Sequence, residues 1–176
     1  MTDFYLNKNV LVTGGTGLIG VPLVKKLVEL GAKVRVASLD SLERAEAVLP
    51  SCVEFLMLDL TDKSNCRIAT KDQEYVFHVA GIKGSVSLGE CRAASWFTPL
   101  VLFNTNMLDA ACEQGASHYL YTSSIGVYPE AEIFEEDNAW SGEPFAADIF
   151  PGWAKRIGEL QTRAYQLEHN WNNISI

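Results

Sequence analysis

The chain has 176 residues, 22 acidic against 14 basic, 48% hydrophobic and 20% charged. That is room for one domain with a proper core and not for two, and the composition excludes a disordered, collagen-like or fibrous chain. No apolar run is long enough to cross a membrane and Met1–Lys8 has no signal-peptide profile, so a cytoplasmic protein is expected.

The first apolar run, Asn9–Thr13, leads into a cluster of glycines. Leu18–Leu30 then carries apolar residues at the spacing of one helical face, stopped by Gly31. Lys33–Ser38 reads as a second strand, Ser41–Leu49 as a short helix ended by Pro50, and Val53–Leu58 as a third strand. A short helix is expected over Asp62–Lys71 and a fourth strand over Tyr75–Ala80. Gly81–Ser95 reads as a long loop before a long helix, Phe97–Gln114. His118–Ser123 is the fifth strand, and Pro151–Glu168 a helix with Pro at its first position, where the missing N–H costs nothing. Asn173–Ile176 opens a sixth strand that the chain does not complete, which makes a longer parent protein the expectation.

Strands apolar on both sides, alternating with helices, predict a doubly wound parallel sheet with helices on both faces. The whole chain, 1–176, forms one such domain. Seven of the acidic residues fall between Gly126 and Phe150, where there is no Lys or Arg. A chain charged in this way has no basic face for phosphates, so nucleic acid is not an expected partner. Cys52, Cys66, Cys91 and Cys112 form no CxxC or Cys/His cluster, so no metal is expected; they read as reduced, buried thiols. His78 and His118 lie in apolar runs and read as core histidines.

Thr13–Gly20 (TGGTGLIG) places glycines at 14, 17 and 20 directly after a strand and into a helix. Gly14 permits the tight turn, Gly17 lets a pyrophosphate approach the backbone at the positive helix end, and Gly20 permits close helix–strand packing. This is a dinucleotide-binding signature; a Walker A loop is excluded because no Gly-Lys-Ser/Thr follows.

The TGxxGxxG spacing resembles the extended branch of the short-chain dehydrogenase/reductase superfamily, the NAD-dependent epimerases and dehydratases. Asp59-Leu60, Phe77–Gly81 (FHVAG), Tyr121–Pro129 (YTSSIGVYP) and Gly152–Glu159 (GWAKRIGE) carry the resemblance over nearly the whole chain. It implies a Rossmann-type fold and a cofactor site built from Gly14, Thr16, Gly17, Leu18 and Ile19. Ser38, Asp40, Asp59, Leu60, Val79, Ala80, Gly81, Thr122 and Lys155 complete that site. Asp40, 20 residues after Gly20, suits the ribose hydroxyls of NAD, although it could instead cap a helix; Ser38 with Arg44 behind it would tolerate NADP. Where many relatives carry Asn at the start of the fourth helix, this chain has Leu100, and neither Asn104 nor Asn106 is assigned that role.

The resemblance further implies catalysis by a Tyr, a Lys four residues later and a strand-five Ser. Lys155 and Ser124 match, but the tyrosine position holds Pro151, and no Tyr lies between Tyr128 and Tyr165. Ile125-Gly126 stands where 4,6-dehydratases carry Asp-Glu, which argues against that elimination. Two readings follow: an epimerase or oxidoreductase of a nucleotide-linked sugar, or a dinucleotide-binding module without turnover. In the first, a replacement proton carrier would be Tyr128, an acidic residue of the Gly126–Phe150 loop or a water. Lys83 and Ser85, with Ser124, are the candidates for substrate contact. The substrate half carried by relatives is expected beyond residue 176, and a homodimer through the long helices is a further expectation.

Overall fold

The computed structural model describes residues 4–82 and 92–176. Strands β1 (Asn9–Thr13), β2 (Lys33–Ser38), β3 (Glu54–Met57), β4 (Tyr75–His78), β5 (His118–Tyr121) and β6 (Ile174–Ser175) alternate with helices. These are α1 (Gly20–Glu29), α2 (Leu42–Val48), α3 (Lys63–Thr70), α4 (Ala93–Glu113) and α5 (Ile149–His169). The strands form one parallel sheet in the order β3-β2-β1-β4-β5-β6, so the order reverses beside β1. This is the Rossmann-type doubly wound arrangement expected from the sequence, and in such sheets ligands bind where the order reverses, outside the carboxyl ends of the strands.

Period-two alternation divides the core. Val10, Val12, Val34 and Val36 face α1 with Val24 and Leu27, while Leu11, Ala37, Val76, Tyr119 and Tyr121 face α3, α4 and α5. Val10, Leu11 and Val12 are wholly buried because β1 is central and covered on both sides. β1 and β2 have the expected bounds, and other element ends differ from the sequence expectation by up to four residues. The largest difference is at α4, which begins at Ala93 and carries Pro99 inside its second turn. Proline there brings no N–H to the Ser95 carbonyl four residues back, a loss confined to one bond near the helix start. α5 begins at Ile149, so Pro151 is its third residue and not its first, still within the turn whose N–H groups have no intrahelical partners. Asn170, in the left-handed conformation (φ 52°), ends α5.

The cysteine expectation needs correction. Cys66 is buried, Cys112 half-buried and Cys52 exposed on the turn before β3, where the apolar alternation has not yet begun; Cys91 lies outside the described residues. His78 is fully buried, whereas His118 sits half-buried at the start of β5, stacked 4.5 Å from Tyr75.

α5 lies close to β5 because Gly158 has no side chain: a Cβ there would fall 2.3 Å from Tyr121 Oη and 2.4 Å from its Cζ. Gly158→Val is therefore expected to cost about 1–3 kcal/mol by overpacking. Equal urea midpoints for the two proteins would contradict this.

Candidate functional site

The turn after β1 is built for close approach. Gly14 adopts φ +65°, and a Cβ there would sit 2.8 Å from Ala80 Cα, so β4 and the glycine turn can touch only because the position is Gly. A Cβ at Gly20 would meet Gly14 O at 2.3 Å, which locks the N-terminus of α1 against the turn. A Cβ at Gly17 would meet only Gly14 O, at 3.2 Å. Beyond Gly17 the surface is open, and Leu18 and Ile19 stand 81% and 59% exposed beside it. Open backbone at a helix N-terminus suits a pyrophosphate.

Asp40 is not a helix cap. Ser41 caps α2, its hydroxyl accepting from Arg44 N, while Asp40 Oδ2 accepts from Thr16 Oγ1 and from Ser38 Oγ at 3.4 Å. Its carboxylate is thus drawn to the glycine turn through Thr16. Leu60 is buried, and Asp59 spends one carboxylate oxygen on Thr61, accepting from its N–H (2.9 Å) and hydroxyl (2.8 Å). The half-buried Val79 and Ala80 and the exposed Gly81 follow β4, and Lys83 and Ser85 lie outside the described residues.

A buried chain of hydrogen bonds crosses the sheet behind this surface. Ala80 N–H donates to Thr13 Oγ1 (3.2 Å), whose hydroxyl donates to His78 Nδ1 (2.8 Å). His78 Nε2–H donates to Asn104 Oδ1 (2.9 Å), Asn104 Nδ2 donates to Tyr121 Oη (3.1 Å), and Tyr121 donates to the Lys155 carbonyl (3.3 Å). The asparagine carbonyl can only accept, so it fixes the His78 tautomer. Burial, reinforced by the Lys155 charge, pulls His78 down to about 3. Asn104, which has no role in the sequence pattern, is therefore the hinge of this network; Asn106 instead donates to Thr61 O. Leu100 is core.

Lys155 Nζ donates to Thr122 O (2.7 Å) and lies 4.9 Å from the centre of the Tyr121 ring. Burial pulls it down to about 8, partly opposed by Glu159. Glu159 itself accepts from Ser123 Oγ and from Trp140 Nε1 (3.2 Å). Ser124 is exposed and accepts from Gly126 N (3.1 Å), capping the short 3-10 turn Ile125–Val127. The acidic loop folds onto one cation: buried Arg156 donates to the carbonyls of Val127, Ala139 and Gly142 between the rings of Trp140 and Trp153.

The model of the NAD dependent epimerase/dehydratase family matches residues 10–176. The chain belongs to that family. The 3 beta-hydroxysteroid dehydrogenase/Delta 5-->4-isomerase of Mycobacterium tuberculosis is 35% identical to it over 123 residues, 67% of this chain and 32% of that protein. GDP-mannose 3,5-epimerase 1 of Oryza sativa subsp. indica is 27% identical over 139 residues, 76% of this chain and 36% of the relative. Among solved structures, the UDP-glucose 4-epimerase of Thermus thermophilus, in complex with NAD, superposes with a TM-score of 0.76 at 27% identity. That superposition covers 92% of this chain and 52% of the solved one. The chain thus spans about a third of these curated relatives and about half of this structural neighbour. Among the described residues no cluster of metal-ligating side chains occurs, and no helix is long and apolar enough to cross a membrane.

Set on this fold, the glycine turn, Asp40, Val79–Gly81, Thr122, Ser124 and Lys155 all gather at the carboxyl ends of the strands. The roles that sequence patterns miss belong to Asn104, Tyr121, Glu159 and Arg156. Arg156 and Glu159 sit inside the lysine-helix motif, but nothing in its spacing shows what they hold.

His78 gives the fold a pH dependence with a definite sign. Its native value is depressed, so the unfolded state binds the extra proton; stability is full above the usual histidine value near 6.5 and falls as pH drops toward about 3. Glu113, held down to about 2 by Arg67 and Lys63, acts in the same direction only below about 4.5. Between pH 6.5 and 5 the unfolding free energy should therefore decline by up to about 1.4 kcal/mol per pH unit. Urea titrations should show that slope shrinking in His78→Gln.

Proposed function

We propose that this chain is the dinucleotide-binding part of an enzyme that oxidises and reduces a carbon of a nucleotide-linked sugar, with NAD as the preferred cofactor. The observation that carries the reading is the open backbone at Gly17, on the same carboxyl edge of the sheet as Asp40, Ser124 and Lys155. The cradle fits the cofactor: a pyrophosphate would rest on the N-terminus of α1 and the ribose hydroxyls on Asp40. Adenine would lie beside Asp59 and Leu60, and the second ribose near Lys155. When bound, the nicotinamide supplies a place for hydride.

The chain's own groups do the rest. Lys155, already half withdrawn from water, holds its ammonium against Thr122 O at the floor of the crevice. Ser124 presents an exposed hydroxyl at the mouth, suited to orient a substrate oxygen. Leu18 and Ile19 offer apolar cover beside the pyrophosphate position. The names of relatives that act on UDP-glucose and GDP-mannose support a nucleotide sugar as substrate class. Pro151 favours a second reading, a binding module without turnover, because its ring carries no transferable proton.

Two variants test the dinucleotide binding that both readings share, and turnover separates the readings. Gly17→Val should remove NAD(H) binding by calorimetry while leaving the melting temperature within a few degrees, because its side chain enters the pyrophosphate space and displaces little protein. Asp40→Ala should weaken NAD(H) about tenfold, one charge-assisted hydrogen bond, and leave NADP(H) unchanged. Turnover of UDP-glucose or GDP-mannose by the full-length protein, lost in Lys155→Met, supports the enzyme; dinucleotide binding with no turnover across a sugar-nucleotide panel supports the module.

A further inference from the structure

The lysine helix lacks a proton carrier at position 151, and an acidic residue, Asp148, stands three residues earlier. Asp148 ends the 3-10 turn Ala146–Asp148 and is the N-cap residue of α5, yet its side chain makes no capping hydrogen bond. Its Oδ2 and the Ser124 hydroxyl instead flank Gly126. A Cβ built on Gly126 would stand 3.5 Å from Asp148 Oδ2 and 3.5 Å from Ser124 Oγ, so a single carbon placed there touches both oxygens. Two glycines make the approach possible. The same Cβ at 126 would press on Asp148 Cβ at 3.4 Å, and a Cβ at Gly152 would strike Gly126 O at 2.4 Å.

Two other candidates near the lysine helix are already engaged. Glu159 is held by Ser123 and Trp140. Tyr128 packs its ring on Phe134, 5.4 Å away. Among the described residues Asp148 has neither a hydrogen bond nor an ion pair through its carboxylate. Lys155 lies about 10 Å further along the helix axis, seven residues at ~1.5 Å each.

We propose that Asp148, paired with Ser124, is the group that takes and returns the substrate hydroxyl proton in place of the missing tyrosine. This rests on the reading of the chain as part of a nucleotide-sugar oxidoreductase or epimerase. In the oxidative direction the substrate C–H bond breaks with its electron pair leaving as hydride to the oxidised nicotinamide dinucleotide. The hydroxyl proton passes to the Asp148 carboxylate, and the O–H pair becomes the second bond of the carbonyl. Reduction reverses each transfer, so atoms and charge balance over the cycle. Ser124, donating from its exposed hydroxyl, holds the same substrate oxygen.

The test uses the full-length protein with NAD and either UDP-glucose or GDP-mannose. Carbodiimide and glycine ethyl ester label accessible carboxylates, and peptide mass spectrometry reads each site without needing turnover. Dinucleotide plus sugar nucleotide should suppress labelling of Asp148 several-fold and leave Asp137, on the outer loop, unchanged. Asp148→Asn should lower kcat about 100-fold or more, the usual size of general acid–base help, with the dinucleotide Kd within about twofold. Asp148→Glu should keep more activity than Asp148→Asn, and Asp137→Asn should keep all of it. Adding Pro151→Tyr to Asp148→Asn should restore part of the loss, since it puts the phenol back one turn above Lys155. Unprotected Asp148, or full turnover in Asp148→Asn beside an active wild type, overturns this proposal and leaves the proposed function standing. A wild type that turns over no sugar nucleotide overturns the functional reading, and this assignment with it.

Discussion

The site hangs on one buried, neutral histidine. His78 has a donor on one ring nitrogen and an acceptor on the other, and the two partners come from β1 and α4. Through Thr13 it fixes the strand end from which the glycine turn starts, and through Asn104 and Tyr121 it reaches the backbone of Lys155. A buried polar group left unpaired costs about 1–3 kcal/mol, so each member holds the next in place. The glycine turn and the lysine helix are therefore positioned by the same chain of bonds.

A second constraint acts at the mouth of the crevice. The loop between β5 and α5 carries most of the surplus negative charge, and it has no apolar alternation with which to form a strand or a long helix. Arg156 gives it an anchor, donating to three loop carbonyls while two indole rings cover the guanidinium. A planar group with five donors can bind three carbonyls at once, which a lysine at that position could not do in the same geometry. The loop is held mainly by its backbone carbonyls rather than by its carboxylates.

The elements are legible in the sequence because apolar periodicity records which face of each strand and helix is buried. The glycine turn is legible because each of its glycines answers a steric demand that no other residue meets, as Gly14 and Gly20 show. The side-chain network is not. Asn104 looks like any polar residue on a helix until β4 and β5 bring His78 and Tyr121 to it, and sequence separations of 26 and 17 residues carry no period. Asp40 is ambiguous for a different reason: an acid before a short helix can cap it or reach past it, and only the neighbouring Ser41 decides. Cys52 departs from the expected burial because its flanking run becomes apolar one residue too late to cover it.

Pro151 changes what the lysine helix has to do. A phenol is protonated at neutral pH, so a tyrosine needs a nearby cation to become a useful base, and that need is what places a lysine one turn away. A carboxylate is ionised at neutral pH without such help. A chain that draws its proton acceptor from Asp148 is released from the four-residue spacing, and Lys155 can remain bound to Thr122 O and serve the cofactor alone. Proline then becomes admissible at 151, since that position in the first turn needs no N–H and no longer needs a side-chain proton. The departure from the family pattern and the carboxylate across Gly126 from Ser124 are, on this proposal, two halves of one substitution.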